Sequence, residues 1–388
     1  MAVALLQHPF MSRSALAHFD NTALVDAMTR FELALADSEE HHGVLPAGTG
    51  EALRRHLDDH AFDLEDLEAG TALGGNVAIP FVRQAKAALP ESLRGHFHFA
   101  ATSQDVLDSA LMLLSQSRLP TLLTLTRRSL NALAALMEKH RGTVMIGRTL
   151  MQQALPITFG VRAAQWALQL DEARTRLNAI VDTGLPVQFG GPVGIHNGLE
   201  DGLAVTETLA AALGLRAPLL PWHTDRQPIH ALITALDALA VAADKIALDV
   251  SLLAQSEIGE LSEPAGDGVG GSSSMAHKRN PVRCALIRTA TRHIHGHTAT
   301  VIHAAGQPLE RGLGDWHSEW TPLIESQQLL EGALSQLAIL LEGLEIHDEV
   351  MAARLATLDG ADRHDADSHH QQIDRVLAHL ARYPPRAP

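Results

Sequence analysis

Apolar positions recur every three or four residues along much of the chain, as expected of helices that bury one face. The clearest stripe is Ile229, Leu232, Leu236, Leu239, Ala243, Ile246, Val250 and Leu253. It predicts a helix over Pro228–Glu263, which would span roughly 50 Å at 1.5 Å per residue. Leu122–Arg141, Pro156–Asp182, Pro281–Ala305 and Glu319–Glu345 are similarly poor in helix breakers. Before about residue 95 the helical runs are shorter and are interrupted at Gly43–Gly50 and Gly70–Pro80. Gly190-Gly191-Pro192-Val193-Gly194 lacks a strand–turn–helix context and the Gly-x-Gly-x-x-Gly spacing, so it reads as a turn between helices. The expected fold is all-α, with a small N-terminal helical domain (1–95), a central long-helix bundle (96–349) and a short C-terminal helical region (350–388). Helices this long need partners along their whole length, and a bundle shared between subunits supplies them.

Composition narrows the function. Of 388 residues, 46% are hydrophobic and only 4% aromatic, so the core is built from Ala, Leu, Val and Ile. A net charge of -15 repels nucleic acid and anionic membranes at long range, so neither is an expected partner. An anionic substrate would need cations gathered locally. Cys284 is the single cysteine, which rules out an intramolecular disulfide or a cysteine-based zinc site. The apolar run Val3-Ala4-Leu5-Leu6 is too short for a signal peptide, and no segment is long and uncharged enough to span a bilayer, so a cytoplasmic location is expected. The His-, Asp- and Arg-rich tail from Asp359, with His364, His369 and His370, reads as a solvated segment without assigned function.

The densest chemistry lies at Gly270-Gly271-Ser272-Ser273-Ser274-Met275-Ala276-His277-Lys278-Arg279-Asn280-Pro281, which leads into a predicted helix. Glycines let the backbone close over a ligand, the serines supply donors or a transferable proton, and Lys278 with Asn280 can hold a carboxylate. From the residues alone, a ligand-binding loop and a plain solvated connector are about equally supported.

The loop resembles the signature Gly-Ser-Ser-x-Met-Pro-x-Lys-x-Asn-Pro of the fumarase/aspartase superfamily, matched over 271–281 except that Ala276 replaces the proline. Thr102-Ser103-Gln104-Asp105 resembles the superfamily's first block, and Gly147 to Pro156 resembles the second. The three ordered blocks lie within a similarity that runs from about Thr71 to Trp320. The resemblance implies a homotetramer whose active sites are shared between subunits, with blocks borne on long helices. It also implies a small polycarboxylate substrate and addition or elimination next to a carboxylate, with no cofactor and no metal. Ser272 is then the catalytic base, assisted by Lys278. A hydroxyl serves as a base only when loop amides and a cation stabilise its ionised form. The substrate-binding candidates are Thr102, Ser103, Gln104, Arg148, Thr149, Gln152, His223, Arg226, Ser273, Met275, Asn280 and Arg311.

Departures from the superfamily pattern narrow the reaction. Many members carry histidine where this chain has Leu150, with a partner glutamate where it has Ala285. Absence of both argues against elimination of an amine, since a departing amine needs a proton. A carboxylate nucleophile or leaving group does not. Ala101–Val106, Gln152–Pro156, Pro221-Trp222-His223-Thr224, Glu310-Arg311, Trp316 and Glu319-Trp320 resemble the bacterial 3-carboxy-cis,cis-muconate cycloisomerases, although that branch usually has tryptophan at Leu150. The expected activity is therefore lactonisation of a tricarboxylate, with Arg148, Arg226, Lys278, Arg279 and Arg311 as candidate cations. An adenylosuccinate- or argininosuccinate-like lyase is the alternative enzyme, and a catalytically silent structural relative is the alternative outside catalysis. His223, His277 and His317 are secondary candidates among 23 histidines, and Cys284 reads as a small packing residue.

Overall fold

The computed structural model describes residues 6, 10–266, 269–271, 275, 278–358 and 365–382. Five short helices and the 21-residue α2 come first: α1 (Arg13–His18), α2 (Asn21–His41), α3 (Thr49–Leu57), α4 (Leu64–Gly74), α5 (Ala78–Ala88) and α6 (Glu91–Arg94). Side-chain caps set several of their starts. Asp20 accepts the Ala23 amide ahead of α2 at 2.9 Å, and Asp63 accepts those of Glu65 and Asp66 ahead of α4 at 3.0 and 3.1 Å.

The long helix α7 (Ser103–Lys139) is followed by β1 (Val144–Thr149), β2 (Gln152–Thr158), α8 (Phe159–Thr183), α9 (Gly202–Leu213) and α10 (Gln227–Leu253). After β3 (Leu261–Ser262) come α11 (Val282–Ala304), α12 (Asp315–Glu342), β4 (Glu345–Ile346), α13 (Asp348–Leu355) and α14 (Ala366–Arg382). Helices α7, α8, α10, α11 and α12 pack into the central bundle, and α2 lies against α7. β1 pairs antiparallel with β2, and β3 with β4. Every residue of the predicted α10 stripe is buried, so the periodic pattern identified a core face correctly.

Four features differ from the sequence expectation. Helix α7 begins at Ser103 and continues through Pro120, because packing against several neighbours outweighs one missing backbone hydrogen bond. Helix α10 stops at Leu253, giving about 40 Å rather than 50. Beyond it the Gly259 amide turns back to the Gln255 carbonyl at 2.7 Å and Glu260 to Leu253 at 2.9 Å. The second block is a β-hairpin, and α8 starts only after Thr158, whose hydroxyl accepts the Val161 amide at 3.3 Å. Residues 366–382 form a docked helix, not a solvated tail. Ile373 of α14 is buried, Asp374 pairs with Arg141 at 2.7 Å, and His379 meets Asp171 at 3.0 Å. His364 lies outside the described residues.

Helix α2 carries Glu32 and Glu39 into the interior, each 1% exposed. Neither carboxyl oxygen of Glu39 has a hydrogen-bond partner among the described residues. Burial first, then the neighbouring Glu32, raises the pKa of Glu39 from 4.5 to about 9. A value raised in the folded state means that folding takes up a proton. The associated stability is complete below about pH 4.5 and is lost as pH rises towards 9. In urea unfolding, stability should therefore fall by up to about 1.4 kcal/mol per pH unit across that window. Glu39→Gln should flatten the dependence, and an unchanged slope in the variant would assign it to other groups.

Candidate active site

The first block is organised around a carboxylate. Asp105, fully buried in the first turn of α7, accepts the Thr102 amide at 3.0 Å and the Gly191 amide at 2.9 Å through Oδ2. Its Oδ1 lies 2.8 Å from His223 Nε2. One carboxylate thus joins the start of α7, the turn after α8 and the segment before α10. The Gly190–Gly194 stretch is the inter-helix turn expected from its sequence.

One turn further along α7, Asp108 anchors a second buried group. Arg226 Nη1 donates to Asp108 Oδ2 at 2.7 Å, and Arg226 Nη2 donates to Glu319 Oε2 of α12 at 2.6 Å. Asp108 also accepts from Trp316 Nε1 at 2.9 Å and from Gln104 Nε2 at 3.1 Å. The Arg226 guanidinium lies 4.8 Å from the centre of the Trp222 ring. Burial is the main influence on Glu319 and raises its pKa to about 7 against the opposing pull of Arg226.

These contacts change the expected roles of two residues. Arg226, 2% exposed, is committed to two carboxylates and is not a free cation for a substrate. Gln104 is fully buried and spends its amide on Asp108 and on the His223 carbonyl, at 2.8 Å for the latter, so it braces a loop. His223 is buried against Asp105. Ser103 and Arg311 remain half-buried, and Arg311 Nη1 donates to Thr102 Oγ1 at 3.0 Å.

The second block forms a hairpin with an exposed tip. A bulge falls at Gly147, where a Cβ would lie 2.8 Å from the Leu155 carbonyl oxygen, so only glycine fits without movement. Arg148 donates to Glu260 through both terminal nitrogens, at 2.9 and 2.6 Å. With Glu260 fully buried, this pairing also removes Arg148 from the expected set of free cations. Thr149 and Gln152 are exposed and flank Leu150 and Met151, which both have positive φ, 48° and 65°. A two-residue hairpin turn requires that geometry. Leu150 is 97% exposed.

The described part of the third block begins with Gly270, at φ +71°, where a Cβ would lie 2.5 Å from the Asn280 carbonyl oxygen. The Asn280 amide donates to the Gly270 carbonyl at 2.8 Å, which closes the base of the loop. Met275 and Lys278 are exposed and Asn280 is half-buried. Ser272 and Ser273 lie outside the described residues, as do Ala276 and His277. Glu263 caps α11 by accepting the Arg283 and Cys284 amides at 3.0 and 2.7 Å. Cys284 is buried, and desolvation first, then Glu263, raises its thiol pKa, consistent with a packing role.

Within one chain the blocks occupy opposite ends of the bundle. The first lies at the start of α7, whose 37 residues extend about 55 Å before the hairpin begins. The third lies at the start of α11, whose 23 residues extend about 35 Å towards the first block. At that far end Gly306 bridges Asp225, and Arg311 reaches Thr102. Glu260 and Glu263 tie the second and third blocks to one short segment.

Two residues missed by the sequence reading stand out. Glu260 neutralises Arg148, and His98, four residues before Thr102, places Nδ1 2.6 Å from the buried Glu32. His98 falls outside the quoted blocks, and only the fold brings Glu32 to it. Arg226→Leu should cost roughly 3–5 kcal/mol in denaturant unfolding, because it leaves two buried carboxylates without their cation. The exposed Lys278→Ala should stay within about 0.5 kcal/mol of wild type, and equal losses in the two variants would refute this distinction.

A lyase family model matches residues 22–296. The 3-carboxy-cis,cis-muconate cycloisomerase of Bradyrhizobium diazoefficiens is 39% identical over 92% of this chain and 81% of its own length. Nitrosuccinate lyase of Streptomyces davaonensis is 36% identical over 89% of this chain and 75% of its own. The crystal structure of the Pseudomonas putida 3-carboxy-cis,cis-muconate lactonizing enzyme superposes with a TM-score of 0.84 at 30% identity, covering 96% of this chain and 86% of that one. The chain therefore belongs to this lyase family, the fumarase/aspartase superfamily, and is similar along most of its length to the 3-carboxy-cis,cis-muconate cycloisomerases.

Proposed function

We propose that the protein is a cycloisomerase that interconverts 3-carboxy-cis,cis-muconate and a carboxymuconolactone. One substrate carboxylate adds to the conjugated double bond. Ser272 delivers the proton to the carbanionic carbon, or removes it in reverse. The observation that carries this reading is the hairpin tip. Leu150 offers no proton to a leaving group, and the exposed Ala285 offers no partner for a proton relay. A substrate carboxylate attacks or departs without one.

Charge at the carboxylate next to the reacting carbon must be met by preorganised donors. Arg148 and Arg226 are already paired. That leaves Lys278, Arg279 and Arg311, which form no ion pair among the described residues, as the cations for a tricarboxylate. Asn280, Thr102 and Ser103 complete the proposed donor set. Separation of the blocks along α7 and α11 supports a homotetramer in which different subunits complete each site.

Nitrite also departs without protonation, so the nitrosuccinate lyase relative supports a second reading as a nitrite-eliminating lyase. Ultraviolet loss of the conjugated diene on 3-carboxy-cis,cis-muconate, compared with nitrite release from nitrosuccinate, separates the two. We expect diene loss in wild type and its near-abolition in Ser272→Ala. Nitrite release without diene loss would overturn the proposal. Shared sites give a further expectation: dissociating and reassembling equal amounts of inactive Ser272→Ala and Arg311→Ala should restore about a quarter of the sites by random assortment. No recovery would place both residues in one subunit's site.

A further inference from the structure

A short C-terminal stretch, running from the end of α12 into α13, grips the segment that joins the second and third blocks. A Cβ on Gly343 would lie 2.6 Å from that of Pro264, so the two strands of chain touch there. β4 then pairs with β3, and the His347 amide donates to the Glu260 carbonyl at 3.1 Å. Farther along, Arg354 of α13 donates through Nε to the Ile258 carbonyl at 2.8 Å and through Nη2 to that of Glu257. α13 itself packs on β1 of the hairpin.

One contact in this grip joins two side chains. His347 Nε2 and Ser262 Oγ are hydrogen-bonded at 2.7 Å, and both residues are half-buried. Ser262 stands between two committed carboxylates. Glu260, two residues earlier, holds Arg148 of the second block, and Glu263, the next residue, accepts the Arg283 and Cys284 amides at the start of α11.

Ser262 and Asn280 line a cavity of about 130 Å³ together with Glu263 and Arg279. Atoms separated by open space gain no contact energy from each other, so packing does not set the distance from β3 to the start of α11. Hydrogen bonds set it instead. The chain of bonds runs from His347 to Ser262, along the backbone to Glu263, and from Glu263 to the first amides of α11, beside Asn280.

We propose that His347 is a positioning residue for the third block: through Ser262 and Glu263 it holds the start of α11, and with it Asn280 and Lys278, where they meet the substrate carboxylate that accumulates charge. The inference rests on the cycloisomerase reading. His347 acts through the strand and touches no reacting atom. The bond is well placed for this task because the β3–β4 pairing and the His347 amide fix the backbone, leaving the ring to fix the Ser262 side chain. Donors displaced by about 1 Å cost on the order of 100-fold in rate. Since such donors act most strongly on developed charge, the loss falls on kcat more than on KM.

The test compares kcat and KM for 3-carboxy-cis,cis-muconate in wild type, His347→Leu, His347→Gln, Ser262→Ala and the His347→Leu/Ser262→Ala double variant. His347→Leu and Ser262→Ala should each lower kcat by roughly 10- to 100-fold with KM within about threefold. His347→Gln should stay within about threefold of wild type, because its amide nitrogen can stand where Nε2 stood. The double variant should be no slower than the slower single one, since both changes remove the same bond. Circular dichroism and sedimentation check folding and assembly. Ser262→Ala leaves α13 untouched and decides the matter if His347→Leu fails to assemble. A kcat within about twofold of wild type in Ser262→Ala, or His347→Gln as slow as an assembled His347→Leu, overturns the inference. Absence of wild-type turnover instead overturns the cycloisomerase reading. His347 is then judged by amide hydrogen exchange at Asn280, Arg283 and Cys284, which should quicken about tenfold in Ser262→Ala but not in His347→Gln, and unchanged exchange in Ser262→Ala rejects the positioning role.

Discussion

Two buried carboxylates one turn apart at the start of α7 hold together the end of the bundle that carries the first block. Asp105 collects the Thr102 amide, the Gly191 amide and the His223 ring, while Asp108 collects Arg226, Trp316 and Gln104. Through these bonds a single helical turn fixes the turn after α8, the start of α10 and the start of α12. Buried charge is costly unless each lone pair is engaged, which is why so many donors converge here. The anchor is rigid because releasing any one donor exposes a carboxylate to a medium that solvates it poorly.

Rigidity has a consequence for substrate recognition. An acidic protein that acts on an anion needs local cations, yet two of the arginines nearest its signature blocks neutralise carboxylates of their own chain. Arg148 and Arg226 therefore shape the loops that present other groups. The Lys278–Arg279 pair and Arg311 remain, at opposite ends of α11. Neither end alone gathers enough positive charge for three carboxylates, so the same division that separates the blocks also separates the cations. A site completed across subunits, as proposed above, would resolve both problems together.

The architecture was largely legible because it depends on periodicity. The stripe from Ile229 to Leu253 survives as a buried face, and the interrupted runs before residue 95 became separate helices, although one of them, α2, reaches 21 residues. The errors arose where tertiary packing overrode local signals. Pro120 did not break α7, and Pro156 sits in a strand rather than at a helix start. The amphipathic pattern centred on Ile373 was hidden by the polar composition around it. For the candidate site, sequence identified the segments but not their internal pairing. Arg226 and Glu319 are 93 residues apart, and Arg148 and Glu260 are 112 apart. No local pattern distinguishes an arginine that will meet a substrate from one that will meet a distant carboxylate.

Backbone strain follows the same map. Among the described residues, the non-glycine positions with positive φ are His98, Ala100, Leu150, Met151, His196 and Leu309. His98 and Ala100 lead into the first block, Leu150 and Met151 form the tip of the second, and the Leu309 carbonyl accepts from Thr224 beside Arg311 at 2.9 Å. His196 lies just beyond the turn tied to Asp105, with its amide donating to the Gly190 carbonyl at 2.9 Å. Helices that pack on regular stripes need no such conformations, so the strain is confined to connections that aim side chains. At the first block, buried hydrogen bonds offset it. At the hairpin tip nothing among the described residues does, since Leu150 and Met151 are 97% and 70% exposed. An exposed, strained and apolar turn is unfavourable in water, and contact with a neighbouring copy would remove its apolar surface from solvent while carrying the second block towards the first.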